Sequence, residues 1–270
     1  MVAIKKQRTI LEEYKFMVQK GRGQGEGQEY QPWLKVREIP SKGFSHRILG
    51  WKTGRVHHLL SNLELSYFYI LEWRSNVKDI RERYPLDPKR TLEIAHMLKI
   101  HHPLHPKTKQ LRIMTTDFFI TDEQGQHTAI SVMPIKDLEK KRTIQLLEIE
   151  RMYWQQKNVD FAVITDFDIP EPLIDNIRWI HKARRLIDGP PFLSQELIME
   201  LEPHFQKVIR QSSQPLAHSC SELDRQYAYP YGTSLWIVRY FIANKIWRPD
   251  MLSPIDTAKP LALRFSKGAM

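Results

Sequence analysis

The run Met114-Thr115-Thr116-Asp117-Phe118-Phe119-Ile120 sets one carboxylate inside an otherwise strand-like stretch, and no other feature restricts the fold as much. Asp122-Glu123-Gln124-Gly125-Gln126 reads as a turn, so Ser131-Val132-Met133 lies on the returning strand with Asp117 roughly opposite Ser131. Side chains two apart on a strand share a face, so Asp117, Ser131 and Met133 are expected on one side of a twisted pair. An acid between Thr and Phe on a central strand is costly to bury without a role. Asp117 is therefore the first candidate site residue.

The 270 residues suffice for one large or two ordinary domains, and 41% hydrophobic content supplies a core. Forty-one Lys and Arg against 31 Asp and Glu leave a net charge of +10, which favours a polyanionic partner, most simply nucleic acid. No apolar run reaches the roughly 18 residues of a membrane span, and the N-terminus lacks a signal-peptide core, so a cytoplasmic protein without a membrane partner is expected. The single cysteine, Cys220, excludes an intrachain disulfide and a cysteine-based zinc site.

Along the chain, residues 1–29 read as a flexible basic arm. Gly21-Arg22-Gly23-Gln24-Gly25-Glu26-Gly27 lacks the preceding strand and the Lys-Ser/Thr of a phosphate-cradling loop. Lys35, Arg37, Lys42, His46, Arg47, Lys52 and Arg55 follow as a basic face, a candidate DNA-binding surface. A helix is expected from about Leu59 to Trp73, capped by Ser61 or Asn62, and a strand from Val77 to Leu86. A short helix over 90–100 precedes His101-His102-Pro103-Leu104-His105, read as a solvated loop rather than a metal site. After the hairpin come a charged helix, Asp137 to Lys157, and a last buried strand, Phe161 to Asp166.

This order suits an α/β domain over residues 30–170, a mixed sheet flanked by helices. Pro170-Glu171-Pro172 marks a boundary, and residues 171–270 read as mostly helical. A helix behind a Thr233/Ser234 cap, with Lys245–Arg248 and Pro260–Phe265 as two wing strands, suggests a winged helix.

Hydrolysis of a DNA phosphodiester needs an in-line water, a metal to polarise the phosphate, and a cation near the developing charge. Carboxylates hold such a metal. Asp117 is one; Glu64, flanked by Leu63 and Leu65 in the first amphipathic helix, is a second candidate beside the alternative of a salt-bridged helix surface.

An acid on one strand with a ligand-x-Lys on the next resembles the PD-(D/E)XK, or restriction-endonuclease-like, layout. Gly21-Arg22-Gly23-Gln24-Gly25, Tyr30-x-Pro32-Trp33-Leu34, Ser45-His46-Arg47-Ile48, Lys52 through Leu65, Thr116-Asp117-Phe118 and the segment Glu148 to Lys157 together resemble TnsA, the endonuclease subunit of the heteromeric transposase of Tn-seven-like transposons. The resemblance is specific over about residues 20–170 and looser beyond. It implies a restriction-endonuclease-like N-terminal domain, a winged-helix C-terminal domain, and Mg²⁺-dependent cleavage, with Mn²⁺ as substitute, at the 5′ ends of double-stranded transposon-end DNA. It also implies two partners, an integrase-like transposase subunit of the TnsB type and an AAA+ ATPase regulator of the TnsC type. Glu64 and Asp117 match the family's metal carboxylates, and Glu150 matches an acid that supports those ligands from behind or acts at a second metal.

Where the family reads Gln-x-Lys, this chain reads Ser131-Val132-Met133. Ser131 is left as an auxiliary ligand, and Met133 supplies no charge. Three explanations stand: an inactivating change, rescue by a nearby lysine such as Lys136, or an ordinary core methionine in a shifted register. The first is favoured, and predicts that Met133→Lys raises cleavage by at least about 10²-fold. The alternative function is a non-catalytic DNA-binding and scaffolding subunit of the transposition complex.

Overall fold

The computed structural model describes residues 8–38, 44–105 and 107–263. They form two compact units, Met1–Ile169 and Pro170–Met270.

In the first unit the strands β3 (Val77–Pro85), β4 (Thr115–Asp122), β5 (His127–Val132) and β6 (Asp160–Ile164) form one sheet in that order. The β3–β4 and β4–β5 pairs are antiparallel, whereas β6 runs parallel to β5. A parallel neighbour needs a crossover, supplied by helix α4 (Lys141–Gln155). The β4–β5 turn is drawn tight by Asp122, whose carboxylate accepts from the amides of Gln124 at 2.9 Å and Gln126 at 2.8 Å. Phe118 then stands opposite Ile130, a register that carries Asp117 to the side of Ser131. Strand β6 is an edge strand and only half-buried, less sheltered than its apolar sequence suggests.

Helix α3 (Pro88–Met97) and α4 bury Ile94, Ala95, Ile149, Tyr153 and Trp154 against Phe119 and Ala129 of the sheet. Helix α2 (Asn62–Trp73) begins at an Ser61 cap, whose hydroxyl accepts from the Glu64 amide at 3.1 Å. It contacts β3 and β5, and Tyr67 of α2 lies beside Phe118. A small antiparallel pair, β1 (His46–Leu49) and β2 (Val56–Leu59), precedes it.

Residues 8–29 are not a flexible arm. Helix α1 (Ile10–Gln19) is held by a reciprocal capping box between Thr9 and Glu12. Tyr14 stacks on Trp33 at 5.4 Å. The glycine segment then folds onto β3. Gly23, at φ 68°, lies where an added Cβ would come within 2.2 Å of the Pro85 ring, so no side chain fits there. The Gly27 amide donates to Asp79 at 3.2 Å.

The histidine-rich loop departs from a solvated loop at one position. His102 is buried with its Nε2 at 2.9 Å from the Thr91 hydroxyl, while His101 and His105 are exposed.

The second unit packs α5 (Glu171–Ile180), α6 (Gln195–Gln211), α7 (Leu216–Gln226) and α8 (Thr233–Ala243) around Ile177, Phe205, Leu223 and Phe241. Helix α8 is capped from α7 rather than by Thr233 or Ser234: the Asp224 carboxylate accepts from the Gly232 and Ser234 amides, both at 2.7 Å. No strand forms at the two expected wing positions among the described residues. A single bridge joins Pro249 and Leu263, Lys245 adopts φ 57° and Trp247 is fully buried; Arg264 and Phe265 of the second expected strand lie outside the described residues. Cys220 is buried, and burial pushes its thiol up to about 12. No helix among the described residues is long and apolar enough to cross a membrane.

Candidate active site

Strand β3 loses its alternation at one residue, and the site is built on that break. Arg83 has φ 52°, a left-handed backbone that costs a non-glycine residue about 1 kcal/mol or more. Glu82 and Tyr84, two apart, should share a face. Instead Glu82 meets Arg55 and His57, whereas Tyr84 stacks on Phe119 and lies tilted beside Trp154. The same happens across the ladder: Phe118 faces Tyr67 of α2, while Thr116 meets Glu150 and Trp154 of α4. Arg83 and Asp117 sit where both strands change phase. The Arg83 carbonyl, turned out of the ladder, accepts from the Trp33 amide at 3.2 Å.

The Arg83 guanidinium joins two acids. Its Nη1 lies 2.8 Å from Asp117 Oδ1, and its Nη2 donates to Glu64 Oε1. Glu64 is further fixed by the Leu60 amide at 2.9 Å and the Ser61 hydroxyl at 3.2 Å. The other oxygen of Asp117 accepts from the Val132 amide at 2.7 Å, which ties β4 to the end of β5. Burial raises the Asp117 carboxyl to about 6; Arg83 and the Val132 amide oppose the shift and Glu64 adds to it. Arg83 is itself raised, its burial outweighed by Asp117 and Glu64.

Beside Asp117 opens a cleft of about 260 Å³, lined by Ser131, Met133, Thr115 and Glu150, with Arg112 among its walls. The expected gathering of Asp117, Ser131 and Met133 on one face is present there. Glu150 lies beneath, with the Thr116 hydroxyl at 2.5 Å and the Ser131 hydroxyl at 2.9 Å from each oxygen. Burial pushes Glu150 up to about 8, so it is largely a neutral acid at pH 7. Its hydrogen bonds clamp Ser131 and Thr116 in place, and they engage the hydroxyl that Ser131 would otherwise offer to a metal.

Two carboxylates that already share one guanidinium suit a hard divalent ion of the Mg²⁺ type, which is commonly held by one or two carboxylates and keeps several waters. Among the described residues no group of three or more His, Cys, Asp or Glu side chains gathers to hold an ion.

The expected basic face divides. Arg37 and Arg47 are exposed, Lys35 is half-buried, and Lys42 lies outside the described residues. Lys52 reaches the Val77 carbonyl at 2.5 Å. Arg55 is not a surface residue: it is buried and grips Glu82 at 2.8 and 2.5 Å and the Ile80 carbonyl at 2.8 Å, because the fully buried Glu82 requires a counter-ion. Arg83 escaped the sequence reading altogether. The available signal was a charged triplet, Arg81-Glu82-Arg83, inside a strand flanked by apolar residues.

Comparison with known proteins defines the class. The family model described as TnsA-like endonuclease N terminal matches residues 74–166, and that described as TnsA endonuclease C terminal matches residues 168–251. The chain is an endonuclease-family protein over both units. It is 40% identical over 229 residues, 84% of this chain and 81% of the relative, to the Transposon Tn7 transposition protein TnsA of Escherichia coli. The chain belongs to the TnsA family.

Proposed function

We propose that the chain is the subunit of a heteromeric transposase that hydrolyses transposon-end DNA at the 5′ ends, using Mg²⁺ held by Glu64 and Asp117. The convergence of these two acids on a single cation carries the reading. The ion, when bound, polarises the phosphate and makes an adjoining water more acidic. The protein's share is positional. Leu60, Ser61 and Val132 aim the two carboxylates, and neutral Glu150 locks Ser131 and Thr116 beneath them. In the reaction, a water oxygen bonds to phosphorus as a bridging P–O bond breaks, leaving a phosphate on one product and a hydroxyl on the other.

The first unit fits a restriction-endonuclease-like domain, and exposed Arg37 and Arg47 with Lys35 offer the phosphate contact. The second unit fits a winged-helix domain without regular wing strands. Every residue of its α8 is buried or half-buried, so this helix suits packing rather than base reading. Docking of the AAA+ ATPase regulator is its assigned role, the integrase-like subunit being the second partner, in the cytoplasm.

The test is strand scission of transposon-end DNA by the complex with its integrase-like partner and Mg²⁺. Scission is expected, and Asp117→Ala should reduce it by about 10³-fold or more. Met133 favours the second reading, a scaffolding subunit that positions its partner without cutting. A chain that is silent as it stands, and cuts as Met133→Lys, is that scaffold.

A further inference from the structure

We propose that Arg83 supplies the catalytic positive charge that Met133 lacks: it neutralises Glu64 and Asp117 until a divalent ion takes them over, and then serves the scissile phosphate. This rests on the nuclease reading above.

Charge balance is the first argument. One guanidinium against two ionised carboxylates leaves the cluster one positive charge short. A divalent ion corrects the deficit and leaves a single net positive charge, matched to the single negative charge of a phosphodiester. A lysine at position 133 would give the same balance without Arg83, so the cation has changed strand while the count is preserved.

Donor capacity is the second. Arg83 Nε is buried without a hydrogen-bond partner among the described residues, so the guanidinium retains a donor beyond those it gives to the two acids. A guanidinium forks onto phosphate oxygens, and release from Glu64 and Asp117 would free its two remaining nitrogens for that purpose. From a left-handed backbone, the Arg83 side chain reaches Glu64 of α2 and Asp117 of the cleft wall.

The competing cations are placed worse. Lys136 is exposed in the turn Ile135–Glu139, and Lys140 pairs with Asp137 at 2.5 Å. Arg112 lines the cleft from an exposed position, suited to a flanking phosphate. Of these four, Arg83 alone bridges both candidate metal ligands.

The experiment compares the unaltered protein with Arg83→Gln, Arg83→Lys, Met133→Lys and the double variant Arg83→Gln/Met133→Lys. Cleavage is read in the complete complex with Mg²⁺, and Mn²⁺ affinity is read by calorimetry at pH 8. Arg83→Gln should lower cleavage by about 10²-fold or more while tightening Mn²⁺ binding, because no resident cation remains to be displaced. Arg83→Lys should fall between. Met133→Lys alone should change cleavage by less than about tenfold, and in the double variant it should recover at least about tenfold. A merely structural arginine predicts the opposite pattern, with Mn²⁺ affinity and melting temperature falling along with cleavage. That result overturns the proposal, as does scission that survives Arg83→Gln, or a folded, Mn²⁺-binding double variant as inactive as the single one. Failure of the unaltered complex to cut overturns the nuclease reading together with this proposal, whereas the other outcomes overturn this proposal alone.

Discussion

Glu82 and Arg83 are neighbours on β3, yet they anchor two buried ionic clusters of opposite character. Glu82 is oversupplied: Arg55 grips both of its oxygens, His57 Nδ1 lies at 2.8 Å and the His58 amide at 3.0 Å. Burial pushes the Glu82 carboxyl up, but His57 and Arg55 outweigh it and hold the group well below the usual carboxylate range. The Arg83 cluster is undersupplied, with one guanidinium for two acids and an open cleft at its side. Burial raises Asp117 and, beside it, Glu150, and the single guanidinium only opposes the shift. A satisfied buried pair holds the fold; one left short of charge is ready to receive a ligand.

The largest effect expected from breaking this contrast is at Glu82. Glu82→Ala strands Arg55 in the interior and should cost about 3–5 kcal/mol in denaturant unfolding, whereas Glu64→Gln, which leaves Asp117 with Arg83, should cost much less. Similar losses at both positions would erase the distinction between the clusters.

Acid and base should then act on the two clusters in opposite directions. A carboxyl lowered on folding stabilises above its unfolded value, and that contribution is lost as pH falls, so the Glu82 cluster weakens in acid. A raised carboxyl stabilises below its unfolded value, and the contribution is lost as pH rises through the folded one. Asp117 therefore costs stability from about pH 4 to about 6, and Glu150 up to about 8. Thermal unfolding of Glu150→Gln from pH 5 to 9 should show a shallower alkaline decline than the unaltered protein; an identical decline would mean Glu150 does not titrate there. Mn²⁺ affinity should rise as pH passes about 6, when Asp117 gives up its proton.

The smallest effect concerns the surface. Reversing charge at Lys35, Arg37 and Arg47 should weaken DNA binding and flatten its salt dependence by about one unit of slope per lost phosphate contact, with little change in melting temperature. Arg55 reversal should instead destabilise the fold. Should Arg55 reversal change only the salt slope, its buried role is wrong.

Much of the first unit was legible because local chemistry and periodicity agree there. The Asp122 turn sets the β4–β5 register, Ser61 starts α2, and both follow from residue type and spacing. The gathering of Asp117, Ser131 and Met133 followed from the same parity rule. Arg83 was hidden by that rule, which assumes a regular strand; its contacts with Glu64 and Asp117 come from a neighbouring strand, not from residues close to Met133 in sequence. Arg55 was misread because it sits among exposed cations in sequence, and only the buried partner on β3 reveals its direction. The Thr9-x-x-Glu12 box was a readable helix start, masked by the glycines behind it. In the second unit, capping passed to Asp224, nine residues before Thr233, beyond the range of a local cap rule.

The left-handed backbone at Arg83 bears on how this protein would respond to redesign. Glycine would occupy φ 52° with less strain, and asparagine somewhat less well, yet neither carries charge. A screen for heat resistance in abundant Mg²⁺, where a bound ion would neutralise Glu64 and Asp117, would favour the relaxed residue. A screen for strand scission would favour the arginine. Position 83 is thus where optimisation for durability and optimisation for turnover should part, and a consensus of stabilising substitutions applied here would yield a sturdier protein with a weaker reaction.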